Sequence, residues 1–131
     1  MKIVAKLVAA ALVVLTVNSA MASDFIQCLA NSPAGTGKTC KFYLNFGQSQ
    51  DFKEALENAS AVSCWLPTEN HIEGGSVKVI LNGTNSVTWN TNPSITSVDW
   101  AVTGPSAQVE IVTSNLTING PQPFVACDFV K

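Results

Sequence analysis

The stretch from Ser76 to Thr113, SVKVILNGTNSVTWNTNPSITSVDWAVTGPSAQVEIVT, leaves this chain few folds to choose from. Every second residue of its runs is apolar: Val77, Val79 and Leu81, then Val87 and Trp89, then Val98, Trp100 and Val102, then Val109 and Ile111. Lys78, Thr88, Asn90, Ser97, Asp99, Gln108 and Glu110 occupy the alternate positions. A period of two with one apolar and one polar side is the pattern of antiparallel strands that cover a core with one face. Asn82-Gly83, Asn92-Pro93-Ser94 and Gly104-Pro105-Ser106 separate the runs with turn-forming residues. The pattern predicts a four-stranded meander.

Facing residues of an antiparallel pair lie on the same side, so the apolar set also limits the register. A two-residue turn at Asn82-Gly83 would set Val79 against Ser86 and Val77 against Thr88, mixing the faces. A loop of three or five residues sets Val79 against Val87 and Val77 against Trp89, with Gly83 free to take a positive φ. In the next hairpin, a loop over residues 92–95 would set Trp89 opposite Val98 and Val87 opposite Trp100. Both tryptophans are then expected on the buried side, which removes them as a sugar-stacking platform.

Elsewhere, residues 24–30, 39–46, 61–66 and 124–130 also read as strands, the first two joined by the turn-rich segment 31–38. The apolar parity shifts at Leu116-Thr117-Ile118, which predicts a bulge or bend near Ser114-Asn115. One segment departs from the alternation. Asp51 with Glu54 three residues on resembles a capping box, and Phe52, Ala55, Leu56 and Ala59 follow at helical spacing. A helix over 52–59 is expected, too short to stand alone and therefore packed on the sheet. The fold class expected is mainly β: a small disulfide-stapled antiparallel sandwich or open barrel of seven or eight strands, with that one short helix.

The beginning of the chain reads as an address. Lys2 and Lys6 precede an apolar run over 8–17, and Ala20-Met21-Ala22 fits the small-x-small rule for signal peptidase. Residues 1–22 are expected to be a signal peptide cleaved after Ala22, leaving a single domain over 23–131 in the periplasm or outside the cell. The run is too short for a membrane span, and no later segment is longer, so no membrane insertion is expected after cleavage. The Ala- and Val-rich leader has a bacterial character, which makes the sequons at Asn58, Asn82 and Asn115 chance matches.

Cysteine chemistry follows from that address. The four cysteines, Cys28, Cys40, Cys64 and Cys127, form an even set behind an export signal and read as two disulfides. Cys28 with Cys40 would staple neighbouring strands, and Cys64 with Cys127 would tie the last strand to the body. The absence of a C-x-x-C pair and the single histidine argue against a zinc or redox site, so no metal is expected. There is no arginine, and the seven lysines are outnumbered by nine acidic residues, which argues against nucleic acid as a partner.

Motifs that could carry chemistry are few. Ser32-Pro33-Ala34-Gly35-Thr36-Gly37-Lys38-Thr39 resembles a phosphate loop, but Ser32 replaces its first glycine and a strand follows where a helix is required. No cofactor is expected. His71 stands between Glu69 and Glu73 in a polar loop over 68–75, which makes a small secreted hydrolase the enzymatic alternative. Asp99 and Glu110, the other carboxylates considered, are expected on the open polar face of the meander, a poor active site. No catalytic residue is assigned. Trp65 lies at opposite parity to Cys64, so a buried disulfide would turn its ring outward as a candidate contact, while packing under the expected helix is the more ordinary place for a tryptophan. The expectation is an exported, non-enzymatic binding or structural module for a protein or glycan. Recognition would use the loops at 31–38 and 68–75 or a sheet edge, with Trp65 and His71 as candidate contacts. A surface-assembly subunit of pilus or adhesin type is the structural alternative.

Overall fold

A computed structural model describes residues 25–30, 37–45, 49–67, 70–120 and 123–131. The leader over 1–22 and most of the segment 31–38 lie outside the described residues. The described residues form nine strands: β1 (Phe25–Ala30), β2 (Gly37–Tyr43), β3 (Gln50–Glu57), β4 (Ala61–Trp65), β5 (His71–Leu81), β6 (Asn85–Trp89), β7 (Ser97–Ala101), β8 (Ser106–Asn119) and β9 (Phe124–Val130). They form a five-stranded sheet ordered β1-β2-β9-β4-β7 and a four-stranded sheet ordered β3-β8-β5-β6. Every pairing is antiparallel. The core lies between the sheets. Phe42, Val62, Leu66, Val125 and Phe129 come from one sheet, and Phe52, Ile72, Val77, Trp89 and Ile111 from the other.

The expected helix over 52–59 is a strand. Gln50, Phe52, Glu54 and Leu56 turn inward, while Asp51, Lys53, Ala55 and Glu57 are exposed or at the outer side. Phe52 and Leu56 satisfy a period of two as well as a helical one, so the local pattern was degenerate. An eight-residue ladder from Gln50↔Thr113 to Glu57↔Ser106 decides between them, because β8 offers hydrogen bonds that an isolated short helix lacks. The strand count rises to nine for the same reason.

The meander is corrected as well. β5 and β6 pair as expected, with Val79 opposite Val87 and Val77 opposite Trp89. A three-residue loop, Asn82 to Thr84, joins them, with φ of 52° at Asn82 and 72° at Gly83. β7 then leaves that sheet and pairs with β4 in the other, so Trp100 faces Val62 and Trp89 never meets Val98. Both tryptophans still pack on the core, Trp89 fully and Trp100 in part, because each sheet presents its own apolar side to the same interior.

β8 pairs with β5 on the side opposite β6, and a bulge interrupts that ladder where the parity shift predicts it. The pairs Gly74↔Thr117 and Ser76↔Ser114 leave Asn115 and Leu116 facing only Gly75. Asn115 takes a left-handed φ of 48° there, and Asn58, Asn82 and Asn92 do the same at their own turns. Asparagine is the side-chain-bearing residue that tolerates this conformation best, so the three sequon asparagines serve backbone geometry.

The disulfides join Cys28 to Cys40 and Cys64 to Cys127. Cys28↔Cys40, Cys40↔Cys127 and Cys127↔Cys64 are all register pairs, so the four cysteines stand in one row on the inner face of the five-stranded sheet. Beside them, Lys38 on β2 donates to Glu54 Oε1 on β3 at 2.8 Å, an ion pair that links the two sheets at their edge. Thr39 points the opposite way and donates to Asp128 Oδ1 at 3.0 Å. Lys38 and Thr39, the residues a phosphate loop would turn to one ligand, therefore lie on opposite faces of a strand.

Candidate functional site

The two outer faces of the sandwich differ in chemistry. On the four-stranded sheet, Asp51 and Lys53 of β3, Glu110 of β8 and Lys78 of β5 form a mixed-charge surface whose ladder sets Lys53 opposite Glu110. The Glu110 carboxyl is pushed above the ordinary carboxylate range, first by a hydrogen bond with the Asp51 side chain, then by desolvation and by the Asp51 charge. Lys53 and Lys78 pull it back. A raised carboxyl pKa means that the folded state holds this proton more tightly than the unfolded chain does. The resulting stabilisation is present in acid and is lost as pH rises through the folded-state pKa. Glu110→Gln keeps a hydrogen-bonding group without the charge. Its Tm is expected to exceed that of the native protein at pH 7 and to converge with it in acid, below the usual glutamate pKa of about 4.3. A constant Tm difference across the pH series would contradict this origin.

The outer face of the five-stranded sheet carries rings. Phe25, Tyr43 and Phe124 form one row across β1, β2 and β9. Phe25 stacks on Tyr43 with centroids 5.1 Å apart, and Tyr43 meets Phe124 at 5.7 Å. The next row runs Gln27, Lys41, Ala126, Trp65 and Ser97 across all five strands. Lys41 Nζ lies 4.9 Å from the centroid of Phe124, within cation–π range. Tyr43 Oη donates to Gln27 Oε1 at 3.4 Å, a long bond that leaves the phenol open to a better partner. A third row, Leu29, Thr39, Asp128, Ser63 and Asp99, is mostly polar.

Trp65 stands where parity places it, beside the buried Cys64 and 38 % exposed. Ala126, its row neighbour, is only 2 % exposed, and its small side chain makes a low floor between Lys41 and Trp65. The large exposed hydrophobics identified among the described residues are Phe25, Leu29, Trp65, Ile95 and Val130. Four of them are on this face by strand parity, and Ile95 lies in the segment leading into β7. The four lie in four different rows of that face, Phe25 in the first, Trp65 in the second, Leu29 in the third and Val130 beyond it.

A single sequence rule would have found the rings that were missed. Phe25, Tyr43 and Phe124 each lie three residues from a cysteine of their own strand, and Trp65 lies one from Cys64. Odd offsets from inward cysteines point outward. What no spacing shows is that β1, β2 and β9 are neighbours, which is what brings the rings together.

His71, expected in a loop over 68–75, instead begins strand β5 opposite Asn119, at one end of the sandwich. It is exposed, as is Glu73, while Glu69 lies outside the described residues. His71 borders a cavity of about 320 Å³ whose other lining residues, among those described, are Asn70, Asn92, Pro93, Ser94 and Thr96. Asp99 and Glu110 are separated onto opposite outer faces, because β7 and β8 belong to different sheets. Cys28, Cys40 and Glu54 bring potential ligand atoms within 4.8 Å of one another, but both sulfurs are disulfide-bonded and Glu54 is paired with Lys38.

No protein-family profile matches the sequence, and no curated protein matches it. Among solved structures, the chain is similar to TmCBM61 in complex with β-1,4-galactotriose, with 14% sequence identity, coverage of 80% of this chain and 79% of that one, and a TM-score of 0.38.

Proposed function

We propose that this protein is an exported, non-enzymatic binding module that recognises a glycan on the outer face of its five-stranded sheet. The carrying observation is the aromatic row Phe25–Tyr43–Phe124 beside Trp65, edged by hydrogen-bonding side chains. A sugar ring has an apolar C–H side and a rim of hydroxyls. Exposed rings meet the first, and Gln27, Lys41, Thr39 and Asp128 are placed for the second. A sheet held by two disulfides loses little entropy when it binds, which favours recognition by a flat, preformed face. Export after cleavage at Ala22 brings residues 23–131 to where glycans and disulfide-forming conditions are found.

Binding to bacterial and plant polysaccharides, measured by glycan array and calorimetry, tests the reading. Trp65→Ala is expected to lower affinity about tenfold or more, equivalent to about 1.4 kcal/mol or more, with Tm measured alongside because a ring 38 % exposed also packs on its neighbours. Retained affinity in Trp65→Ala and in Phe25→Ala would remove this face from the site. The aliphatic Leu29, Ile95 and Val130 favour a second reading, a protein partner. Affinity capture that returns a protein lost with the same variants, together with a silent glycan array, would select it. Self-association through the β1 or β7 edge would be its assembly form.

A further inference from the structure

An edge strand has one neighbour, so the side chains it buries decide how firmly it stays on the sheet. β1 buries little. None of its six residues is fully buried, and only Ile26 and Cys28 are partly covered against the core. Its one ladder, from Phe25↔Tyr43 to Ala30↔Lys38, joins it to β2. The Cys28–Cys40 disulfide crosses that same ladder. Backbone hydrogen bonds, a few side-chain contacts and one covalent bond therefore hold β1 in place.

The bond lies beside open space and charge. Cys28 and Lys38 turn inward from β1 and β2, Leu56 turns inward from β3, and all three line a cavity of about 330 Å³. Their shared inward parity sets this cavity in the seam between the sheets, on the side to which Cys28 presents its sulfur. Glu54 of β3 brings a carboxylate oxygen within 4.8 Å of both sulfurs, and Lys38 Nζ lies 2.8 Å from Glu54 Oε1. Partly exposed sulfurs beside a cationic group are the reactive kind, whereas sulfurs enclosed in apolar surroundings are inert. Cys64 and Cys127, fully buried on inner strands, are of the second kind. No C-x-x-C spacing marks the edge pair, because its cysteines are 12 residues apart and meet across strands.

We propose that Cys28–Cys40 is an exchange site for small thiols and that opening it releases β1 from the sheet. The thiolate of a small thiol attacks Cys28 Sγ. A sulfur–sulfur bond forms there as the Cys28–Cys40 bond breaks, and Cys40 leaves as a thiolate beside the Lys38 charge. Cys40 then takes a proton from solvent, replacing the one the incoming thiol gave up. One disulfide becomes one mixed disulfide, with no net oxidation. A second thiol removes the first as a small disulfide, so two thiols have passed two electrons to the pair and left Cys28 and Cys40 reduced. Phe25 and Gln27 are carried by β1, so its release dismantles part of the ring-bearing face. That last consequence rests on the glycan reading, and the release itself does not.

Hydrogen–deuterium exchange of the oxidised protein, after brief native exposure to reduced glutathione or dithiothreitol, tests both steps. Trapping with N-ethylmaleimide and peptide mapping should find Cys28 and Cys40 opened while Cys64–Cys127 stays closed. In that state the amides of residues 25–30 are expected to exchange about tenfold faster or more, while those of β4, β5, β8 and β9 keep their protection. The double variant Cys28→Ala, Cys40→Ala should show the same fast exchange without any thiol. Lys38→Met should slow the opening severalfold and Lys38→Arg should restore it, a rescue that exposure alone does not explain. Opening of Cys64–Cys127 first, or of both bonds only on global unfolding, would overturn the exchange site. Residues 25–30 that stay protected in the opened chain and in the double variant would overturn the release. Fast exchange over 25–30 with a silent glycan array would sustain this inference and end only the reading of the face.

Discussion

Removing the Cys64–Cys127 disulfide with paired alanines is expected to cost about 4 kcal/mol, against about 3 kcal/mol for Cys28–Cys40. The difference follows from the loops closed, with sequence separations of 63 and 12, because the longer loop restricts more of the unfolded ensemble. Position acts in the same direction. Cys64 and Cys127 join the two inner strands β4 and β9 and are fully buried, whereas Cys28 lies on the edge strand β1 and is only partly buried. Denaturant titration of the two double variants measures both values, and equal losses would contradict the loop-closure account.

The cysteine row adds a chemical consequence. In Cys64→Ser, the freed Cys127 faces Cys40, which is still bonded to Cys28. The Cys127 thiolate is placed to attack Cys40 Sγ, forming Cys40–Cys127 and expelling Cys28 as a thiol with no net oxidation. Non-reducing peptide maps of Cys64→Ser are expected to show that rearranged bond. Maps in which Cys28 stays on Cys40 and Cys127 stays free would refute the exchange.

Gly75→Ala is expected to destabilise the fold by about 2 kcal/mol or more, among the largest effects available outside the core. Gly75 sits in the β5–β8 bulge at φ 77°, and a Cβ there would overlap the backbone carbonyl oxygens of Ser114 and Asn115. Two penalties combine: a left-handed backbone that alanine resists, and a collision with main chain that cannot rotate away. Gly83 is the matched control. Its φ is 72°, but a Cβ would have nothing within 4 Å, so Gly83→Ala should cost only about 1 kcal/mol. Indistinguishable denaturation midpoints for the two variants would show that the bulge is softer than its geometry implies. The bulge also sets the side on which β8 presents Leu116 and Ile118 to the core. A partly populated slip in Gly75→Ala should therefore show as a lowered m-value as well as a lowered midpoint.

Much of the fold was legible because alternation is a local property. The loop at Asn82–Thr84 followed from requiring Val79 and Val87 to share a face. The bulge followed from a parity change at Leu116, and the outward turn of Trp65 from its being one residue past Cys64. The segment 50–57 was misread because Phe52 and Leu56 are four apart, a spacing that puts them on one side of either a helix or a strand. The aromatic face was missed for a different reason. Phe25, Tyr43 and Phe124 are far apart in sequence, and only the order β1-β2-β9 makes them neighbours.

By itself, then, the order of residues determined an all-antiparallel chain stapled by two disulfides, the inward and outward sides of most strands, and the register of the β5–β6 hairpin. Tertiary structure alone decided that residues 50–57 extend along β8, that β7 crosses to the opposite sheet, and that four separated rings share one exposed surface. The physical reason is one of range. Side-chain alternation is set by the backbone within a strand, residue by residue. The neighbour that completes a strand's hydrogen bonds is chosen by which distant segments bury the most apolar surface together, and no local spacing encodes that choice.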